Sequence, residues 1–210
     1  MGAGVLTAMI TVAAICATAA PAGAQDRMPP IPADKMTEAQ RTAVADFKAA
    51  RSADLSGPFV PLLRSPEVLT RARAMGDYLR FKSVLPPRLS ELVILLTARR
   101  WTQQYEWNAH QPLAAQGGLN ADIIRAVADG RRPERMAADE EAVYTFCDEL
   151  QRNQSVSDGT YAKAVATLGE QGVIDTLGIT GYYTMLAMVL NTARTPLPPG
   201  ATPALAPFPR

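Results

Sequence analysis

Residues 104–110 read QYEWNAH and hold the chain's single histidine, His110, four residues after Glu106. On an α-helix, residues four apart share a face, so this carboxylate and imidazole would point the same way, within reach of one proton or one substrate. The spacing equally describes an ordinary ion pair on a helix surface. Glu91 is the second candidate, because LVILL follows it directly. Either it lies in a first helical turn and favours the helix dipole, or an apolar pocket desolvates it, raises its pKa and lets it carry a proton near neutral pH. If the chain folds back so that Glu91, Glu106 and His110 converge, two carboxylates and an imidazole share a cavity, and unequal proton affinities assign acid and base roles. Arg88, Arg99 and Arg100 flank the same segment. Their guanidiniums could hold a substrate carboxylate in bidentate fashion or simply decorate helix ends.

Other chemistries are poorly provided for. One histidine and scattered carboxylates fall short of the usual ligand sets, so neither a metal nor another cofactor is expected. No local Ser/His/Asp arrangement and no phosphate-cradling glycine loop occur; Gly117-Gly118 reads as a helix terminator. A net charge of +1 without a basic stripe argues against nucleic acid.

The elements that must position these residues are helical throughout. Pro-rich RMPPIPADKM is an extended lead-in. Thr37 and Gln40 form a capping-box pattern that opens a helix carrying Ala43, Val44, Phe47 and Ala50 at helical spacing. SGPFVPLLRSPEV reads as a loop. From Pro66 a second helix places Leu69, Ala72, Met75, Tyr78 and Leu79 on its apolar face. PRLSELVILLTARRW is apolar around most of its circumference, so this helix should be central, with Pro87 at its start. The QQYEWNAHQPLAAQGG helix contains Pro112, which requires either a late start or a kink beside His110. NADIIRAVADGRRP, DEEAVYTFCDELQRNQ and SVSDGTYAKAVATLGEQG follow as helices, and GVIDTLGITGYYTMLAMVLNTAR closes the body. No strand alternation is visible, so the fold class is all-α: a compact bundle of seven or eight helices.

The ends carry separate signals. Residues 1–24 are apolar and uncharged in side chains and finish in Ala22-Gly23-Ala24. They are read as a cleaved secretory signal, which implies a periplasmic or secreted protein with no stable membrane insertion after cleavage; an uncleaved anchor or a misplaced start is the alternative. Roughly 186 residues remain, enough for one domain with a real core, spanning residues 25–195. Six prolines between residues 195 and 210 make 196–210 an extended tail. With Cys16 in the signal, Cys147 stands alone, which excludes an intramolecular disulfide and suggests a small core residue.

The run PPRLSELVILLTARRWTQQYEWNAHQPLAAQGGLNADIIRAV resembles the carboxymuconolactone decarboxylase and alkylhydroperoxidase-like family. GPFVPLLRSPEV, EEAVYTFCDEL and GYYTMLAMVLN support the likeness, which covers roughly residues 35–198, with a core at about 80–190. The family's peroxidase branch uses a glutamate followed by C-x-x-C-x-x-x-H. Glu91 matches the glutamate and His110 the histidine, while the cysteine positions fall on Gln103 and Glu106, so thiol peroxidase activity is not expected. The decarboxylase branch has an E-x-x-x-H pair where Glu106 and His110 stand. The resemblance implies cofactor-free lyase or isomerase chemistry on a small lactone or unsaturated carboxylic acid. Glu106 and His110 would be the acid–base pair, Glu91 a relay and Arg88 the anion's partner; Tyr105, Trp107, Tyr182 and Tyr183 would wall the pocket. It also implies a homo-oligomer, trimer or hexamer. A non-catalytic binding or scaffold protein of the same fold is the competing reading, with a peroxide-detoxifying member that lacks the cysteine pair behind it.

Overall fold

A computed structural model of the chain describes Met1 and residues 25–207. The signal expected over residues 1–24 therefore lies, apart from Met1, outside the described residues. After a short 3-10 turn, Ala33–Lys35, eight helices follow: α1 (Glu38–Arg51), α2 (Phe59–Leu62), α3 (Pro66–Phe81), α4 (Pro87–Arg100), α5 (Gln104–Gln116), α6 (Ala121–Ala128), α7 (Ala138–Asn153) and α8 (Asp158–Ala193). No strand occurs among the described residues. The all-α bundle expected from the sequence is the architecture found.

Local chemistry accounts for most boundaries. Thr37 accepts from the Gln40 amide and the Gln40 side chain accepts from the Thr37 amide, completing the capping box of α1. Pro66 and Pro87 each sit in the first turn of their helices, where a missing N–H costs nothing. The SGPFVPLLRSPEV stretch, residues 56–68, holds α2 and the start of α3 rather than being loop throughout, with Phe59 and Leu62 turned inward together. The two helices expected at the end of the body follow one another within α8 and meet at a kink at Gly169, whose φ of 72° and ψ of 166° are not helical. Pro112 lies in the middle of α5, which begins at Gln104 and continues through it. The proline removes the amide that would bond the Asn108 carbonyl.

The core is organised around α4. Leu92, Val93, Leu95 and Ala98 have no exposed surface, and α4 packs against α5, α6, α7 and α8 together. This all-round burial matches an apolar pattern too wide for a surface helix. Arg88 anchors its first turn to α7, with Nη2 2.7 Å from Asp139 and Nη1 2.5 Å from Glu140. The most apolar window of α8 has a mean hydropathy of 1.4, long enough to cross a membrane, but 56% of it is buried within the fold. Met75 and Tyr78 leave the apolar face assigned to them and are exposed; Tyr78 donates to Asp175 of α8 at 3.2 Å.

The tail is more than a surface strand. Leu205 is buried, its carbonyl accepts from Gln104 Nε2, and its amide donates to Gln104 Oε1. Arg99 Nη1 donates to the Ala206 carbonyl at 2.7 Å. The extended segment thus seals the junction of α4 and α5 from behind.

Candidate active site

A tight turn between α4 and α5 builds the site. The Thr102 amide bonds the Arg99 carbonyl and the Gln103 amide bonds the Ala98 carbonyl, a Schellman closure with Thr102 in the left-handed region at φ 47°. Gln103 then caps α5: its Oε1 accepts from the Tyr105 and Glu106 amides, and its Nε2 donates to Asn191 Oδ1 at 2.8 Å. Asn191 in turn donates to the Trp101 carbonyl, so the turn is tied to the end of α8. Folding α5 back along α4 brings His110 Nδ1 to 2.7 Å from Glu91 Oε2, although nineteen residues separate them. Both side chains are buried. With Nδ1 engaged by the carboxylate, Nε2 is the ring nitrogen left for chemistry.

Glu106 is the exceptional group. It is only 3% exposed, and neither carboxyl oxygen has a hydrogen-bond partner. Its place in the first turn of α5 would favour the charged form, by about 0.3–1 kcal/mol for a typical helix dipole. Burial without a partner acts the other way and wins, holding the carboxyl well above its usual range. Glu106 and His110 do share a face of α5, yet the hydrogen bond of His110 goes to Glu91. The two carboxyls thus differ sharply: Glu91 is paired with the imidazole, and Glu106 is buried without a partner.

A cleft of about 190 Å³ opens onto these groups; α1, the 53–59 segment, α3, α5 and α8 contribute to it, and Arg51, Arg80, Tyr105, Glu106, His110 and Tyr183 are among its walls. The Tyr183 ring meets His110 edge-on at 5.0 Å and Tyr182 at 5.3 Å. Burial, above all, pushes the Tyr183 phenol well above its ordinary range. Gly57, at φ 53°, faces Tyr105, where a Cβ would come within 2.7 Å of the ring. Glycine therefore satisfies both the backbone and the contact.

The expected walls divide. Tyr105, Tyr182 and Tyr183 line the cleft, whereas Trp107 is buried in the core away from it. Arg88, the expected anion partner, is turned to Asp139 and Glu140 and contributes nothing to the cleft. Arg99 and Arg100 donate to the Ala206 and Gln151 carbonyls and border a larger open groove of about 410 Å³ between α4, α6 and α7, away from the carboxylates. The cations that do reach the cleft, Arg51 and Arg80, were not singled out from the sequence. Nothing in the sequence of α1 or α3 marks these two arginines for chemistry, and only tertiary packing places them there. Cys147 is fully buried, 3.9 Å from the Thr180 hydroxyl, and burial pushes its thiol up to about 12.

No family model matches the sequence, and no curated protein matches it significantly. Solved structures do resemble it. One is a protein of unknown function from Agrobacterium tumefaciens, described as an AhpD-type antioxidant defence protein: TM-score 0.58, 16% identity, 65% of this chain and 94% of that one. Another is a variant of the debrominase Bmp8 in complex with 2,3,4-tribromopyrrole: TM-score 0.64, 8% identity, 85% of this chain and 95% of that one. The chain has an AhpD-like helical fold. At these identities the likeness defines the fold and leaves function to the site.

Proposed function

We propose that the chain is a cofactor-free acid–base enzyme acting on a small lactone or unsaturated carboxylic acid by decarboxylation or a related lyase or isomerase reaction. The observation that carries this reading is Glu106, a buried carboxyl with both oxygens unpartnered beside a cleft that also presents His110. A carboxyl held neutral by desolvation is a proton donor to carbon, and a histidine oriented by Glu91 is the matching acceptor. The cleft volume falls below the ~300–1,000 Å³ of drug-sized sites, which favours a small substrate. A tribromopyrrole in the related debrominase is in keeping with a small ring or planar acid.

Peroxide chemistry by a thiol pair is disfavoured. The positions corresponding to the family's cysteines are Gln103, committed to capping α5, and Glu106; the buried Cys147 thiol lines no part of this cleft. Export and assembly belong to the same proposal. The uncharged segment ending at Ala24 supports passage to the periplasm or beyond. Ile174, Leu177 and Met188, exposed on α8, support a homo-oligomer, trimer or hexamer, that covers them.

The test is deuterium incorporation from heavy water into a panel of small lactones and unsaturated acids. Wild type should catalyse exchange at a carbon position, and Glu106→Gln should slow it by about 10²–10⁴-fold, the usual contribution of a positioned acid. A panel left untouched by both proteins would instead favour the non-catalytic binding protein.

A further inference from the structure

Arg51 and Arg80 enter the cleft from different helices and face the same space as Glu106 and His110. Arg51 is rigidly mounted. Its Nε and Nη2 lie 2.9 and 2.8 Å from Asp77 Oδ1, and its guanidinium stacks over Phe59 at 4.6 Å and Phe47 at 5.3 Å. Asp77 is shared with Arg73 at 2.7 Å, so one carboxylate answers two guanidiniums. Arg80 is half-buried, with its guanidinium beside the Phe81 ring, and no carboxylate pairs with it among the described residues. Asp54, also at the mouth, is held by Lys48 at 3.0 Å. The lining of the cleft therefore carries an excess of positive charge, since Asp54 is answered by Lys48 and Glu106 holds its proton.

We propose that Arg51 and Arg80 form a cationic clamp at the mouth of the cleft that grips the substrate's carboxylate as an anchor, so that this group is retained and the reaction is a proton shift along the carbon chain. The proposal rests on the acid–base reading of the site and narrows it. Decarboxylation sends the carboxylate's electron pair into the carbon skeleton and releases neutral carbon dioxide. Two guanidiniums on that carboxylate stabilise the starting anion and lose their partner as the reaction proceeds, which opposes the step. Deprotonation next to the carboxylate has the opposite demand. It builds further negative charge on the same oxygens, where the clamp stabilises it.

The step balances without a co-reactant. His110 Nε2 takes a proton from carbon, and the C–H electron pair becomes the double bond of a dienolate. The Glu106 hydroxyl gives its proton to the remote carbon, and the π pair there becomes the new C–H bond. The proton on His110 then returns to the Glu106 carboxylate. The double bond has moved, the carboxylate is intact, and both residues regain their starting states. Arg51 and Arg80 are positioning residues for carbon chemistry that Glu106 and His110 perform.

The experiment uses pent-3-enoate labelled with carbon-13 at the carboxyl, together with the uncharged pent-3-enamide, on the folded wild-type chain and on Arg80→Gln and Arg51→Lys variants. Binding is read by ligand-observed NMR. The acid should bind at least tenfold more tightly than the amide, Arg80→Gln should abolish that preference, and Arg51→Lys, which keeps the charge facing Asp77, should retain part of it. Any deuterium uptake should leave the label in the acid. Equal binding of acid and amide, a preference untouched by Arg80→Gln, or release of labelled carbon dioxide would each overturn the proposal. Failure of the underlying acid–base reading looks different: acid binding that depends on Arg80, unaccompanied by deuterium uptake, keeps the clamp and refutes the proton shift.

Discussion

Replacing Glu106 by glutamine keeps the shape of the side chain and removes its ability to ionise, so the variant isolates the pH dependence that this group imposes on folding. Folded Glu106 holds its proton well above the usual carboxylate range because it is buried without a partner. In the unfolded chain it ionises near the ordinary value of about 4.3. Above that pH the unfolded state binds one proton fewer than the folded state, and stability therefore falls as pH rises. The stabilisation is fully present below the unfolded pKa and is lost progressively until Glu106 ionises in the folded protein. One proton corresponds to about 1.36 kcal/mol per pH unit, so that is the limiting slope by which wild type should lose stability relative to Glu106→Gln as pH rises above the unfolded value, until Glu106 ionises in the folded protein. Urea unfolding of both proteins across this range measures the difference in slope. An unpartnered buried amide carries its own desolvation cost, but that cost does not vary with pH. Parallel stability curves for the two proteins would refute the assignment of Glu106 as a desolvated acid.

Three further outcomes follow from the packing. Leu205→Ala should destabilise the fold by about 2 kcal/mol, the low end for a buried leucine because an extended strap can relax, as measured by urea unfolding. Cys147, with its thiol pushed up to about 12 in a fully buried site, should resist a thiol reagent at neutral pH in the folded chain and react promptly once the chain is unfolded. Arg88→Ala should release Asp139 and Glu140 at the start of α7, costing about 1–3 kcal/mol of stability. It should leave the affinity of the cleft for small acids unchanged, since Arg88 lies outside it.

What the sequence revealed about the site depended on how local the signal was. The capping box at Thr37, the prolines opening α3 and α4 and the all-round apolar pattern of α4 are written in a few neighbouring residues, and the structure reproduces them. The convergence of Glu91, Glu106 and His110 was legible as a possibility because a short turn between two helices folds one along the other. Which carboxylate pairs with His110 was not legible. Helical spacing favoured Glu106, but the 2.7 Å bond goes to Glu91 on the facing helix, and Glu106 is left buried without a partner. Arg51 and Arg80 were hidden for the same reason. Each looks like an unremarkable basic residue in the last turn of its helix, and only the packing of α1 and α3 around α5 and α8 brings them to one cleft. Gln103 illustrates the converse: a helix cap is a local role, but its tie to Asn191 spans 88 residues.

The protonation state of Glu106 in the folded protein tests the account most directly. Carbon-13 NMR titration of the glutamate side-chain carboxyls, with the Glu106 signal identified by its absence in Glu106→Gln, reads that state at every pH. The account predicts that the Glu106 resonance remains that of a protonated acid at neutral pH, well above the ordinary value of about 4.3 for a glutamate in an unfolded chain. A Glu106 signal that titrates near that ordinary value would contradict it, because a carboxylate already ionised at neutral pH has no proton to deliver to a substrate in the cleft.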